Sequence, residues 1–351
     1  MLLRGKLNAV MQRIALGKKR SGRDFAEVMS VCRTKDVSKS RPRDRVLASA
    51  RLANPALSTL VEDKMKDEDF DAIIASHHIY QSGTLDVLTH VTERTEPEDP
   101  PSWCPNSAKT SSLPARRIVA MAATQSFGRL YKASRGSVAT ATEDDGRLTL
   151  LGNYVDGIKT LGAVLPLDAD RCSLLEGIQQ WMQLARVDES ATPYDPIPSI
   201  SKYEAFWRTI TMDVDWRYGV CGSPERESGD WSARRQGYID WHNDLQCNDS
   251  DTDGAHEYPD KKTSWLAWRL EEHLRMTTCN RRFAVSTHGH FCLVPASAGL
   301  KDEVWVLLGA KFPLVLSPSG TDRRTVQGVG YVQGMMDGDA LASESVRVTL
   351  V

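Results

Sequence analysis

Apolar and polar positions change their spacing three times along this chain. In the first quarter the spacing is helical. Phe25, Val28, Met29 and Cys32 recur at i, i+3, i+4 and i+7, the pattern of one buried stripe. Pro42, just after Ser40-Arg41, fits the first turn of a new helix, and Asn54-Pro55 breaks it. Phe70, Ile73, Ile74 and His77 repeat the helical pattern, and Leu85, Val87 and Leu88 carry it past Gly83. The pattern then stops: Pro97, Pro100, Pro101, Pro105 and Pro114 preclude regular structure.

Beyond this linker the spacing turns to strands. Ser137–Thr142 and Arg147–Gly152 flank Glu143-Asp144-Asp145-Gly146, and an Asp-Gly between two β-prone runs predicts a hairpin. Asn153–Ile158 continues as strand. Residues 172–276 return to helical faces: Leu174, Leu175, Ile178, Trp181, Met182 and Ala185; then Tyr203, Phe206, Trp207 and Ile210; then Trp265, Leu266, Trp268, Leu270 and Leu274. Between the last two lies a polar, acidic excursion from Asp215 to Lys262. The tail alternates again at Arg281–Ser286, His290–Val294, Glu303–Leu308, Pro313–Leu316 and Val326–Gln333.

Each strand set is too small or too edge-exposed to stand alone. The pattern therefore predicts an α+β fold. N-terminal helices (1–91) and a linker (92–135) lead to a discontinuous β domain (136–342). There, strands 137–158 and 281–333 pair into a small antiparallel barrel-like sheet, with residues 172–276 inserted as helices.

At 351 residues, 41% hydrophobic and 26% charged, the composition suits a folded chain with a sizeable core. No apolar run approaches the roughly 18 residues of a membrane span. The seven cysteines stand singly and none is at CxxC spacing, which suits a reducing, cytoplasmic setting. Residues 1–51 carry 14 Lys+Arg against 4 Asp+Glu, within a chain whose net charge is −2. Such a leader is open to three readings: nucleic-acid binding, organelle targeting, or a helix facing an acidic partner domain. The absence of aromatic residues among the charges before Phe25 speaks against nucleic acid, and a solvated or domain-facing helix is the preferred reading.

Several blocks, in order, resemble the region that follows the HET domain in fungal heterokaryon incompatibility proteins. Ser40–Ala48 resembles that family's DPRDKVYAL segment, Ser82–Leu88 its SLDVLS, and Pro101–Pro105 its PSWVPDW. Phe206–Ile210 is similar to FWRTL. Arg281–Phe283, Leu293–Pro295, Pro313–Leu316 and Tyr331–Gly338 resemble its RRF, LVP, PFVLR and YVHGIMDGE blocks. Asn106-Ser107 stands where the family has Asp-Trp, and Arg41 where it has Asp. No ALSYVWG-like opening of the HET domain occurs. The resemblance implies an interaction or regulatory module linked to vegetative self/non-self recognition, with a protein partner and neither nucleic acid nor membrane. It also implies a chain lacking the effector domain, as a short paralogue or an incomplete gene model. An enzyme fragment whose active domain lay upstream is the second expectation.

Candidate chemistry is sparse. Asp249-Ser250-Asp251-Thr252-Asp253-Gly254, with Glu257 and Asp260, matches the spacing of a 12-residue calcium loop. His256, Pro259 and a final Asp in place of Glu depart from it. A calcium-binding module at 249–260 is the third expectation, set against a solvated acidic loop. His288-Gly289-His290 offers alternate imidazoles, but Gly289 predicts a hairpin turn with both rings in solvent. Gly328-Val329-Gly330 lacks the spacing and following helix of a nucleotide loop, and reads as glycine in a curved strand. Asp213 and Asp215 read as surface charge, and Arg208 as a bridge from its helix to a carboxylate. No GxSxG, P-loop or HExxH occurs. The expectation is no catalytic, cofactor-binding or metal-binding residues.

Overall fold

The computed structural model describes residues 67–91, 101–106, 127–144, 146–166, 168–187, 192–215, 238–241, 265–341 and 344–351. The expected stripes at 25–32 and near Pro42, and the acidic loop 249–260, lie outside these residues. So do Pro97, Pro100 and Pro114 of the linker.

The strand that organises the molecule is β2 (Arg147–Val164), which follows the short β1 (Thr142–Asp144). Its alternation of more and less buried positions is that of a strand with one face on a core, and it has partners at both edges. Its first residues pair antiparallel with β11 (Val346–Leu350), from Leu148↔Leu350 to Gly152↔Val346. Its middle pairs with β7 (Glu303–Leu307) at Gly152↔Leu307 and Tyr154↔Trp305. After a bulge between Tyr154 and Asp156 it reaches β5 (Arg281–Ser286), from Ile158↔Ser286 to Val164↔Arg282. Through β8 (Leu314–Pro318) and β9 (Arg323–Val329) the circuit β2–β11–β9–β8–β7 closes on β2 as a five-stranded barrel. The register climbs by roughly ten residues in one turn, so the strands tilt steeply around an interior that side chains fill. The sequence-distant strand sets thus share one sheet, as the pattern predicts. One pair departs from the antiparallel expectation: β9 and β11 run parallel, with Thr349↔Arg323 and Leu350↔Arg324.

Leu148, Leu150, Trp305, Leu307, Leu314, Leu316, Val326, Val348 and Leu350 share one cluster at alternate positions of these five strands, which makes them the barrel interior. Gly152 is where β2 passes between β11 and β7, and a Cβ there would stand 2.5 Å from Leu307 Cδ2. One end of the barrel is covered by helix α1 (Asp67–Ser82) and the 3-10 turn Asp86–His90, through Ile74, Ala75, Ile79, Leu85, Val87 and Leu88. Trp103 joins them, its indole N–H donating to Gly146 O at 3.0 Å.

The second half of β2 belongs to a further sheet with β5, β6 (Phe291–Pro295) and β10 (Tyr331–Val332). Alternate residues of β5 and β6 face opposite ways. Ala284, Cys292 and Val294 meet Val304 and Val315 of the barrel wall, while Phe283, Phe291 and Leu293 meet the helices. Those helices are α2 (Arg171–Ala185), α3 (Lys202–Ile210) and α4 (Trp265–Thr278), with the small β3–β4 pair (Pro193–Tyr194, Ile197–Ser201) beside them. The inserted segment therefore docks on the sheet by its aromatic faces: Trp181 stacks on Phe283 at 6.2 Å, and Phe206 lies 5.2 Å from the same ring. Local chemistry starts the helices. Asp170 accepts from Ser173 N at 2.7 Å, and Ser201 accepts from Glu204 N at 3.1 Å.

Four readings need correction. Among the described side chains of α1, Asp71, Ile74, Ala75, Ser76 and Ile79 are buried and Ile73 and His77 only partly so; the face is set by the barrel end it covers. Residues 137–141 are not strand; Ala139 N instead donates to Gly83 O at 2.8 Å, over the β7–β8 turn. The segment 85–88 is not helix continuation but a short 3-10 turn after Gly83, whose φ is +64°. The terminal strand β11, which completes the barrel, was not among the expected strands.

Candidate functional site

Three places gather polar or aromatic side chains. The first is the β5–β6 hairpin. Gly289 takes φ +88° in its turn, the left-handed conformation the sequence predicts there. The two imidazoles part: His288 has a 75% exposed side chain, while the partly buried His290 sets Nδ1 3.2 Å from Gln333 O. Among the described residues no group of three His, Cys, Asp or Glu is placed to hold a metal ion.

What lies under His288 is Asp156, turned to this face of β2 by the bulge and only 2% exposed. Gly157 N and His288 N donate to its two oxygens at 2.8 and 2.9 Å, and His288 Nδ1 stands 3.0 Å from Oδ1. Desolvation pushes this carboxyl's pKa up, but hydrogen bonds from Ser286, His288 and Gly157 outweigh it and hold the group below the ordinary carboxylate value. Asp, His and Ser thus meet, as in acyl-transfer sites, with the roles permuted. Ser286 lies toward the carboxylate rather than the imidazole, its Oγ accepts from His290 N at 3.0 Å, and it is 1% exposed. A nucleophile needs its hydroxyl free and against the base. This geometry instead staples the hairpin to β2. No sequence motif announces it, because the three residues lie far apart or in a turn.

The second place is the junction of α3 with α4. Asp213 and Asp215 are 4% and 7% exposed, so the reading of surface charge is corrected: the chain folds back at the end of α3 and carries both carboxylates inward. Arg208 does bridge as expected, with Nη1 2.6 Å from Asp213 Oδ1 and Nε 2.8 Å from Glu204 Oε1. Met212 and Asp213 both adopt positive φ, +54° and +52°, costing on the order of 1–3 kcal/mol each. Asp213 N donates to Arg208 O at 2.6 Å, and the Tyr131 hydroxyl donates to Met212 O, so the surroundings hold the turn. His273, 5% exposed, places Nε2 3.0 Å from Thr211 O. Burial lowers its pKa to about 4, so the ring is neutral and Nε2 carries the donated proton. Among the described residues the Trp207 indole N–H is buried without a hydrogen-bond partner, while its ring stacks on Tyr238 at 4.2 Å. These groups fasten two helices together.

The third place is the barrel mouth opposite α1. The inward register of β2, β7, β9 and β11 ends there on Tyr154, Glu303, Trp305, Arg324 and Val346. Trp305 is 7% exposed and meets Tyr154 edge-on at 5.7 Å, with its indole N–H on Glu303 Oε2 at 2.8 Å. Arg324 lies 6.0 Å from the Trp305 ring and donates Nε to Glu303 Oε2 at 2.7 Å. Tyr154 and Val346 are 51% and 53% exposed. The alternation Glu303, Trp305, Leu307 hints at one inward face, but only barrel closure brings the others to it.

The glycines of the Gly328–Gly330 run sit where β9 ends and β10 begins, with Gly328 at φ +139°, in keeping with curved strand. Cys104, Cys172 and Cys292 are free thiols, and burial pushes the Cys104 and Cys292 thiols well up from their ordinary values. Among the described residues no helix is long and apolar enough to cross a membrane. Compared with known proteins, the chain matches no family model, no curated protein and no solved structure.

Proposed function

We propose that this chain is a non-catalytic interaction or regulatory module of the kind that follows the HET domain in fungal heterokaryon incompatibility proteins, acting in the cytoplasm through protein contacts. The observation that carries the non-catalytic reading is the permuted hairpin site: its serine is buried, and its hydroxyl oxygen accepts from His290 N rather than meeting an imidazole.

The blocks behind the family resemblance supply joints of the fold, as expected of a region selected for its scaffold. Arg281 and Arg282 donate to backbone on either side of β5, to Val329 O at 3.0 Å and to Gly162 O at 2.8 Å. Phe206 packs on Phe283, and Ser102 Oγ accepts from Val326 N at 2.9 Å. Asp86 pairs with Lys311 at 2.5 Å, and Tyr331 donates to Gln333 at 2.9 Å.

The test is labelling with a fluorophosphonate probe. The folded protein should remain unlabelled at Ser286, with or without His288→Ala. Stoichiometric labelling of Ser286 that His288→Ala abolishes refutes the reading.

A further inference from the structure

The two ends of the barrel differ. One is filled by α1, the 3-10 turn and Trp103. At the other, among the described residues, Tyr154 and Val346 stay half exposed above the buried Trp305, with Pro318 exposed beside them. Large apolar side chains grouped around a closed floor mark a contact surface more than scattered surface hydrophobes do.

The charge around this mouth is distinctive. Exposed Lys301, Arg323 and Arg347 stand at or next to the starts of β7, β9 and β11 at this end of the barrel, against exposed Asp322 and Glu344. Glu303 and Arg324 neutralise one another inside it. The rest of the chain is acidic. Of 44 Lys+Arg and 46 Asp+Glu, residues 1–51 hold 14 and 4, which leaves 30 against 42 elsewhere. The rim therefore carries a small positive excess within a chain that is acidic beyond residue 51. Arg324 also has capacity to spare: it bonds Glu303 through Nε and Nη2 and Arg323 O through Nη1, so about two of its five N–H groups remain for an incoming acceptor.

We infer that this mouth is the docking site for an acidic, extended segment of a partner protein, which sets an apolar side chain on Tyr154 and Val346 and a carboxylate on Arg324. The inference rests on the reading of the chain as a protein-contact module and names the surface. A nucleic-acid strand fits less well. At this mouth, among the described residues, Tyr154 alone offers an exposed ring for stacking, and Asp322 and Glu344 interrupt the positive field a phosphate backbone would follow.

The probe is a fluorescein-labelled peptide of four Leu-Pro-Glu repeats, titrated with the full chain at low salt and read by anisotropy. Four Leu-Pro-Lys repeats and an oligo-dT of equal length serve as comparisons. Saturable binding of the acidic peptide alone is expected. Arg323→Glu with Arg347→Glu should weaken it roughly tenfold, and Tyr154→Ala several-fold, since rim charges and one exposed ring act additively. All three positions are exposed, so the fold should survive, checked by unchanged urea midpoints. The inference is overturned if the acidic peptide does not bind, if the Lys peptide or the oligonucleotide binds as tightly, or if the variants bind like the parent. It is equally overturned if sedimentation shows a dimer that the Arg323/Arg347 reversal dissolves, because the occupant is then a second copy. None of these outcomes bears on Ser286 labelling, so failure here and failure of the non-catalytic reading are told apart.

Discussion

Gly162 on β2 should tolerate no side chain, and the consequence of adding one follows from the coordinates. A Cβ at this position would sit 2.5 Å from Trp181 Cδ1, 2.6 Å from Nε1 and 3.3 Å from Phe283 O. Trp181 has little room to retreat. It is fully buried, stacks on Phe283 at 6.2 Å, and donates its indole N–H to Ala163 O at 2.9 Å. Gly162→Ala must therefore displace the indole. Overpacking of this kind costs about 1–3 kcal/mol, and loss of the indole hydrogen bond adds about 1 kcal/mol. Alanine's smaller loss of backbone entropy offsets roughly 0.5–1 kcal/mol. The net expectation is a destabilisation of about 2 kcal/mol, read from the urea midpoint at unchanged m-value. Trp181→Phe removes the clashing edge of the ring, so the double variant should be more stable than the sum of the singles by about 1 kcal/mol. A Gly162→Ala midpoint within about 0.5 kcal/mol of the parent, or strict additivity, refutes the packing argument.

Other expectations concern turns and titrating groups. Gly309 combines φ +88° with a would-be Cβ 2.8 Å from Ala139 N and 2.9 Å from Gly83 O, atoms of backbone that cannot give way. Gly309→Ala should cost about 3 kcal/mol or more in urea unfolding. Because the pKa of Asp156 is lower folded than unfolded, its stabilisation is present above the ordinary value of 3.8 and is lost as pH falls through the folded value. Asp156→Asn should lower stability at pH 7 by about 1–3 kcal/mol and flatten the acid limb of the unfolding curve. His273 works in a higher window. The unfolded ring gains its proton near the ordinary value of 6.5 and the folded ring near 4, so acidification between them favours unfolding by about 3 kcal/mol. His273→Gln, which keeps a donor for Thr211 O, should remove most of that slope.

Much of this fold can be read from spacing alone. The face Tyr203, Phe206, Trp207 and Ile210 is buried as its periodicity predicts, as are Leu174, Ile178, Trp181 and Ala185 of the second face, whose Leu175 and Met182 are partly buried; β1 and β2 do pair as the predicted hairpin. Local pattern could not locate the ends of β2 or the strand β11. Both are defined by partners, since Val346 and Arg347 are exposed and β2 runs on to Val164 only because β5 takes up its edge. The same holds for the sites. Asp156 reaches Ser286 and His288 through a bulge, Asp213 is buried by two left-handed residues in succession, and Tyr154 meets Trp305 and Arg324 through closure of the barrel. None of these is a periodic feature.

As the shared strand, β2 joins the barrel and the helix-covered sheet into one cooperative unit. Hydrogen exchange of the backbone amides along Leu148–Val164 tests this most directly. The barrel half (Leu148–Gly152, with β11) and the sheet half (Ile158–Val164, with β5) should open together, with protection equal to the global unfolding free energy. If the Ile158–Val164 and Phe283–Ser286 amides exchange orders of magnitude faster than Leu148–Gly152 and Val346–Leu350, the two halves are separate bodies and the account is wrong.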